Sequence, residues 1–131
     1  MIKVLLDNDV TGFQQLLAGA VESIGWSEYE LIEFITLQNV GLDRTTGDRE
    51  IWRLCQLDSL LLLTANRNQG DADSLEQTIT EENTPESLPV LTISDQQRLH
   101  NTAYREACVE RLLTIVLELR NHLGTGRLYI P

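Results

Sequence analysis

Two short apolar runs constrain this chain most. Ile2-Lys3-Val4-Leu5-Leu6 carries a single Lys, and Leu60-Leu61-Leu62-Leu63 is leucine throughout. Each is too short for a stable helix. A strand that is apolar at successive positions is one buried on both faces, as in a parallel sheet with helices on either side. The first run ends abruptly in Asp7 and Asp9. In an open α/β sheet, ligands bind at the carboxyl ends of the strands, so this strand can deliver an acid to the floor of a site. Asp is also a preferred helix N-cap. Asp9 stands where it would cap the next helix, whereas Asp7, closer to the strand, is harder to explain that way.

The rest of the chain alternates. Val10 to Ser23 places Val10, Phe13, Leu16, Leu17, Ala20 and Val21 at helical spacing, with Gly25 set to end the helix. After a polar connection from Trp26 to Glu30, the β-favouring Ile32, Phe34 and Thr36 predict a second strand over Leu31 to Leu37. A loop from Asn39 to Gly47 leads to a helix over Arg49 to Leu57, with Asp48 as its expected cap. The leucine run is the third strand. A polar loop from Thr64 to Asp73 and a helix from Ser74 to about Thr80 follow. Glu81 to Leu88, with Pro85, reads as a solvated acidic loop. Pro89 to Ile93 is a fourth strand, and Ser94 or Asp95 caps a short turn near Gln97. The longest predicted helix, Ala103 to His122, carries Tyr104, Cys108, Leu112, Ile115 and Leu119 as one stripe. Val109, Leu113, Val116 and Leu117 widen that stripe enough to serve a homodimer interface. Arg127 to Ile130 completes the pattern as a fifth strand. Strict alternation of strand and helix implies a three-layer α/β/α fold around a mostly parallel five-stranded sheet.

At 131 residues and 42% hydrophobic composition, residues 1 to 131 are expected to form a single domain with a real core. Cys55 and Cys108 fall on apolar helix patterns and read as buried thiols. No apolar run reaches the length of a membrane span and no signal peptide opens the chain, so a cytoplasmic protein is expected. The net charge is −10, and nine of the ten basic residues are Arg. A surface this acidic repels phosphate backbones. A nuclease on such a chain would need metal ions, or a basic partner, to invert the local field.

Three acidic clusters fall at comparable places. Asp7 and Asp9 follow strand one, Asp48 and Glu50 open the helix before strand three, and Asp71 and Asp73 lie in the loop after it. If strands one and three are neighbours, these clusters meet over one edge of the sheet. Crowded carboxylates repel and their pKa values rise unless a cation sits among them. Oxygen donors suit Mg²⁺ or Mn²⁺. Two such ions about 4 Å apart can activate a water and steady a leaving oxygen in phosphodiester cleavage. Taken singly, Asp48 and Asp73 also read as helix caps and Asp71 as a turn former.

Leu5-Leu6-Asp7-Asn8-Asp9, then Gly47-Asp48-Arg49-Glu50-Ile51, then Leu61-Leu62-Leu63-Thr64 occur in an order that resembles the PIN-like superfamily, in particular its small bacterial branch often encoded as a toxin. The motifs cover roughly residues 1 to 75. The resemblance implies a three-layer α/β/α fold and Mg²⁺-dependent ribonuclease chemistry acting on RNA. It also suggests a small antitoxin-like partner. By position it implies Asp7 and Asp48 as catalytic carboxylates. The metal would be held by Asp7, Asp48, Glu50 and Asn66 of the Thr64 loop, with Asp71 or Asp73 added from further along if Gly70 lets that loop fold back. The chain departs from the pattern after Thr64, where Asn66 and Asn68 stand in place of the usual aspartates. An amide oxygen can coordinate a cation but brings no charge and cannot act as a base. That departure keeps a second reading open, a PIN-like scaffold with degraded chemistry that serves as an interaction or regulatory module. A flavodoxin-like receiver is a third. It would need a phosphorylatable Asp after strand three, where Asn66 stands, and a late Lys that the chain lacks. His100 and His122 have no partner spacing for zinc, and Gly124-Thr125-Gly126 lacks the context of a nucleotide loop.

Overall fold

The computed structural model describes residues 1–25, 31–66 and 74–131. Strand β1 (Ile2–Leu6) lies between β2 (Ile32–Thr36) and β3 (Leu61–Thr64), with Leu5 opposite Ile35 on one side and Leu62 on the other. Strand β4 (Val90–Ile93) pairs with β3, and β5 (Arg127–Ile130) pairs with β4. All five strands are parallel, in the order β2-β1-β3-β4-β5. The expected three-layer α/β/α architecture is therefore present. The order is that of doubly wound flavodoxin-like sheets, whose ligands sit where the winding reverses, between β1 and β3.

Helices α1 (Gln14–Ser23) and α4 (Thr102–Leu117) cover one face, and α2 (Asp48–Asp58) and α3 (Leu75–Glu82) the other. The alternation of side chains along each strand sorts the core into two layers. Val4, Leu6, Leu61, Leu63, Leu91 and Ile93 pack with Leu17, Cys108, Leu112 and Ile115 on the first face. Leu5, Leu62 and Val90 pack with Ile51, Trp52, Cys55, Leu75 and Ile79 on the second. Both cysteines are free and buried, as expected, and burial pushes the Cys55 thiol up to about 12 and the Cys108 thiol up to about 11. No helix among the described residues is long and apolar enough to cross a membrane.

Several elements differ from expectation. The helix expected from Val10 begins as a single 3-10 turn over Thr11–Phe13 before α1 proper. The loop expected from Asn39 begins later, because Leu37–Val40 forms a 3-10 turn in which Asn39 and Thr36 cap each other. Glu81 and Glu82 are not in a solvated loop. They end α3 and pair with Arg49, while Glu82 also pairs with Arg53 at 2.8 Å. Helix α4 stops at Leu117, where Glu118, Arg120 and Asn121 interrupt the apolar stripe, and a 3-10 turn over Leu119–His122 replaces its predicted last turn. Leu117 is exposed rather than part of the buried stripe. The return to β5 passes through Gly124 at φ +82°, where a Cβ would lie 2.9 Å from the Pro85 backbone. The connection predicted over Trp26 to Glu30 lies outside the described residues.

Candidate functional site

Parallel register carries β1 and β3 to a shared end. Leu6 lies opposite Leu63, and the Asp7 N–H continues the ladder by donating to the Leu63 carbonyl at 3.0 Å. One step on, Asp7 and Thr64 share the α2/α3 face. Asp7 is only 7% exposed, and its carboxylate accepts the Thr64 hydroxyl at 2.8 Å and the Asn8 N–H at 2.8 Å. Asp9 does not cap the following helix. Its carboxylate accepts the Ala65 N–H at 3.0 Å and so pins the exit of β3. Thr64, which is fully buried, thus stands between two carboxylates, with Asp9 more distant from its hydroxyl at 3.4 Å.

Asp48 approaches from the helical layer. It is the first residue of α2, whose N-cap is Gly47, and its carboxylate does not cap its own helix. It accepts instead the N–H of Leu75, the first residue of α3, at 3.1 Å, and the side-chain amide of Asn66 at 3.0 Å. The negative charge lies where the α3 dipole favours it. The conventional cap of α3 is Ser74, whose hydroxyl accepts the Gln77 N–H at 3.1 Å. Asn66 is held at its other end by its own N–H, which donates to Thr64 Oγ1 at 2.9 Å. Asp7, Thr64, Asn66 and Asp48 therefore form one hydrogen-bonded chain from the sheet to the helices.

The electrostatics of this cluster are unfavourable to charge. Burial holds the Asp7 carboxyl above its ordinary value of 3.8, and repulsion from Asp48 adds to the effect, against the hydrogen bonds from Thr64 and Asn8. Burial, then repulsion from Asp7, pushes Asp9 up to about 6. Carboxylates raised by burial together with a neighbouring charge recur at functional sites. A hollow of about 840 Å³ lies elsewhere, along β2 and the amino ends of β1 and β3, with Met1, Lys3, Glu33 and Ser59 in its lining. None of Asp7, Asp9, Asp48, Thr64 or Asn66 lines it, which separates it from this chemistry.

Of the residues expected at the site, the structure brings together Asp7, Asp48 and Asn66. Glu50 is exposed on the first turn of α2 and lines a surface hollow with Gly47, Arg49 and Arg53. Asn68, Asp71 and Asp73 lie outside the described residues. Two further polar groups complete the arrangement, the Thr64 hydroxyl and the buried Arg127. A threonine closing a leucine strand was a visible signal for the first. An Arg opening β5 carries no such signal, because only the strand order places it near Asn66.

The oxygen-only donor set, with Asp48 repelling Asp7 and Asp7 repelling Asp9, is the chemistry that a hard divalent cation relieves. Among the described residues, however, no three His, Cys, Asp or Glu side chains form a group able to hold a metal ion. A cation held by Asp7 and Asp48 would thus need the Asn66 amide oxygen, water or further oxygens to complete its shell. No family model matches the chain, and no curated protein or solved structure matches it either.

Proposed function

We propose that this protein is a divalent-metal-dependent ribonuclease of the toxin-type PIN-like kind, using Mg²⁺ or Mn²⁺ at a reduced acidic site. The observation that carries the reading is the buried carboxylate of Asp7 at the β1/β3 switch point, raised by burial and by Asp48. In this reading Asp7 and Asp48 hold the cation, with Asn66 supplying an amide oxygen. Bound there, a divalent ion would polarise a phosphodiester and lower the pKa of a water. Thr64 fixes the Asp7 carboxylate, and Asp9 holds the exit of β3 beside it through the Ala65 N–H. RNA is the substrate proposed, a small antitoxin-like protein the regulator, and the cytoplasm the compartment. A homodimer through α4 is proposed as the assembly.

The test is calorimetric titration of the protein with Mn²⁺, repeated on Asp7→Asn and paired with cleavage of a single-stranded RNA. Micromolar binding that the substitution abolishes, with metal-dependent cleavage, is the expected result. Millimolar binding or none, indifferent to the substitution, overturns it.

A second reading has its own support. The Asn66 amide donates to Asp48, occupying with a neutral group the place where charge would be most useful. The strand order is also that of flavodoxin-like regulatory domains. On this reading the protein is a catalytically inactive interaction or regulatory module, and the same titration separates the two.

A further inference from the structure

We infer that Arg127 is a positioning residue, which holds the backbone of Asn66 so that its side-chain amide meets Asp48. Arg127 opens β5 in register with Val90, at the amino end of the sheet. Its side chain climbs the α2/α3 face rather than leaving for solvent, and only 7% of it is exposed. Nη1 donates to Thr92 Oγ1 at 2.5 Å, two residues further along β4, and to the Asn66 carbonyl at 2.9 Å. Two residues of strand span about 6.6 Å, a distance an extended arginine can cover. Nε donates to the Glu76 carboxylate of α3 at 3.1 Å. One guanidinium thereby ties together β5, β4, the segment leaving β3 and helix α3.

Stability alone does not call for an arginine in this place. Burying a guanidinium is costly, and a well-packed apolar residue of similar volume often serves as well or better. An apolar residue could not hold a carbonyl. The carbonyl it holds belongs to Asn66, whose side chain bridges to Asp48 and whose N–H contacts Thr64, the partner of Asp7. Arg127 therefore acts on the carboxylates through Asn66. A planar fork with several fixed donors can bridge acceptors on different elements, which a lysine ammonium on a flexible stem does poorly. The consequence for cation binding rests on the function proposed above; the positioning itself does not.

The test compares the intact protein with Arg127→Met and Arg127→Lys. The readouts are the nitrogen–proton resonances of the Asn66 side-chain amide, hydrogen exchange at the Leu75 amide, melting temperature and Mn²⁺ affinity. Arg127→Met is expected to remain folded, to shift the Asn66 resonances, and to speed Leu75 exchange about tenfold, the scale of one lost charge-assisted hydrogen bond. Arg127→Lys should restore part of both. If the Met variant does not fold, the Lys variant decides by the same spectrum. Asn66 and Leu75 signals unchanged in a folded variant would overturn the inference. A wild-type protein that ignores Mn²⁺, while Arg127→Met still moves Asn66, would remove the metal reading and leave the positioning role standing. Equal Mn²⁺ affinity with an unmoved amide would do the reverse.

Discussion

The two faces of the sheet are built from alternate residues of the same strands, yet they end differently. On the face covered by α1 and α4, the apolar row continues to the carboxyl ends, where Leu6, Leu63 and Ile93 are buried against α4 and its neighbours. On the face covered by α2 and α3, the row is apolar at Leu5, Leu62 and Val90 and then turns polar at Asp7, Thr64 and Thr92. A shift of one position along each strand thus separates packing from polar chemistry. The first face can be optimised for cohesion, while the second carries buried charge that a core would ordinarily exclude.

The contrast is open to direct attack. The largest effect should come from the apolar face. Leu63→Ala leaves a cavity beside a fully packed layer and is expected to cost about 2–5 kcal/mol in urea denaturation, with the Asp7 carboxyl titrating as before. Thr64→Val, the neighbouring residue on the other face, keeps the shape and removes one hydroxyl. It should cost less, about 1–3 kcal/mol, but should raise the Asp7 pKa further, because the Thr64 hydrogen bond opposes the burial that raises it. A titration followed by carboxyl carbon resonances would read that shift. If both substitutions moved stability alike and neither moved Asp7, the division between the faces would fail.

The smallest effect concerns Asp9 and depends on pH. Its folded pKa of about 6 lies above the ordinary 3.8, so between those values the folded state binds more protons than the unfolded state. The stability contributed by this group is present at low pH and is lost as pH rises through that window. Asp9→Asn should therefore stabilise the protein by about 1 kcal/mol at pH 7, discounted for partial exposure, and by nothing near pH 3. Melting temperatures of both proteins across that range would check the sign. A constant difference at every pH would show that Asp9 matters only for the Ala65 contact.

The layered fold was legible because Leu60 to Leu63 and Ile2 to Leu6 admit few alternatives, and because strand and helix alternate throughout. Asp7 was legible for the same reason, as a carboxylate at the end of a buried strand. Partner choice was not. Asp48 stands where a cap for α2 belongs, and nothing local says that its carboxylate will instead serve α3. Asp9 likewise looks like a cap until β3 is seen to pass within reach. Glu81 and Glu82 looked solvated because their arginine partners lie on another helix, α2. The competing tertiary contact lies 27 residues away in the chain for Asp48, 56 for Asp9 and 29 for Glu82, beyond any local pattern.

The tether from Arg127 to Asn66 also bears on when the acidic cluster takes its final form. Synthesis proceeds from the amino end, so Asp7, Asp48 and Asn66 all emerge well before β5 exists. A nascent chain can gather its carboxylates early, but the clamp over them closes only once residue 127 has joined the edge of the sheet. The final geometry of the acidic rim is therefore withheld until residue 127 has been made and placed.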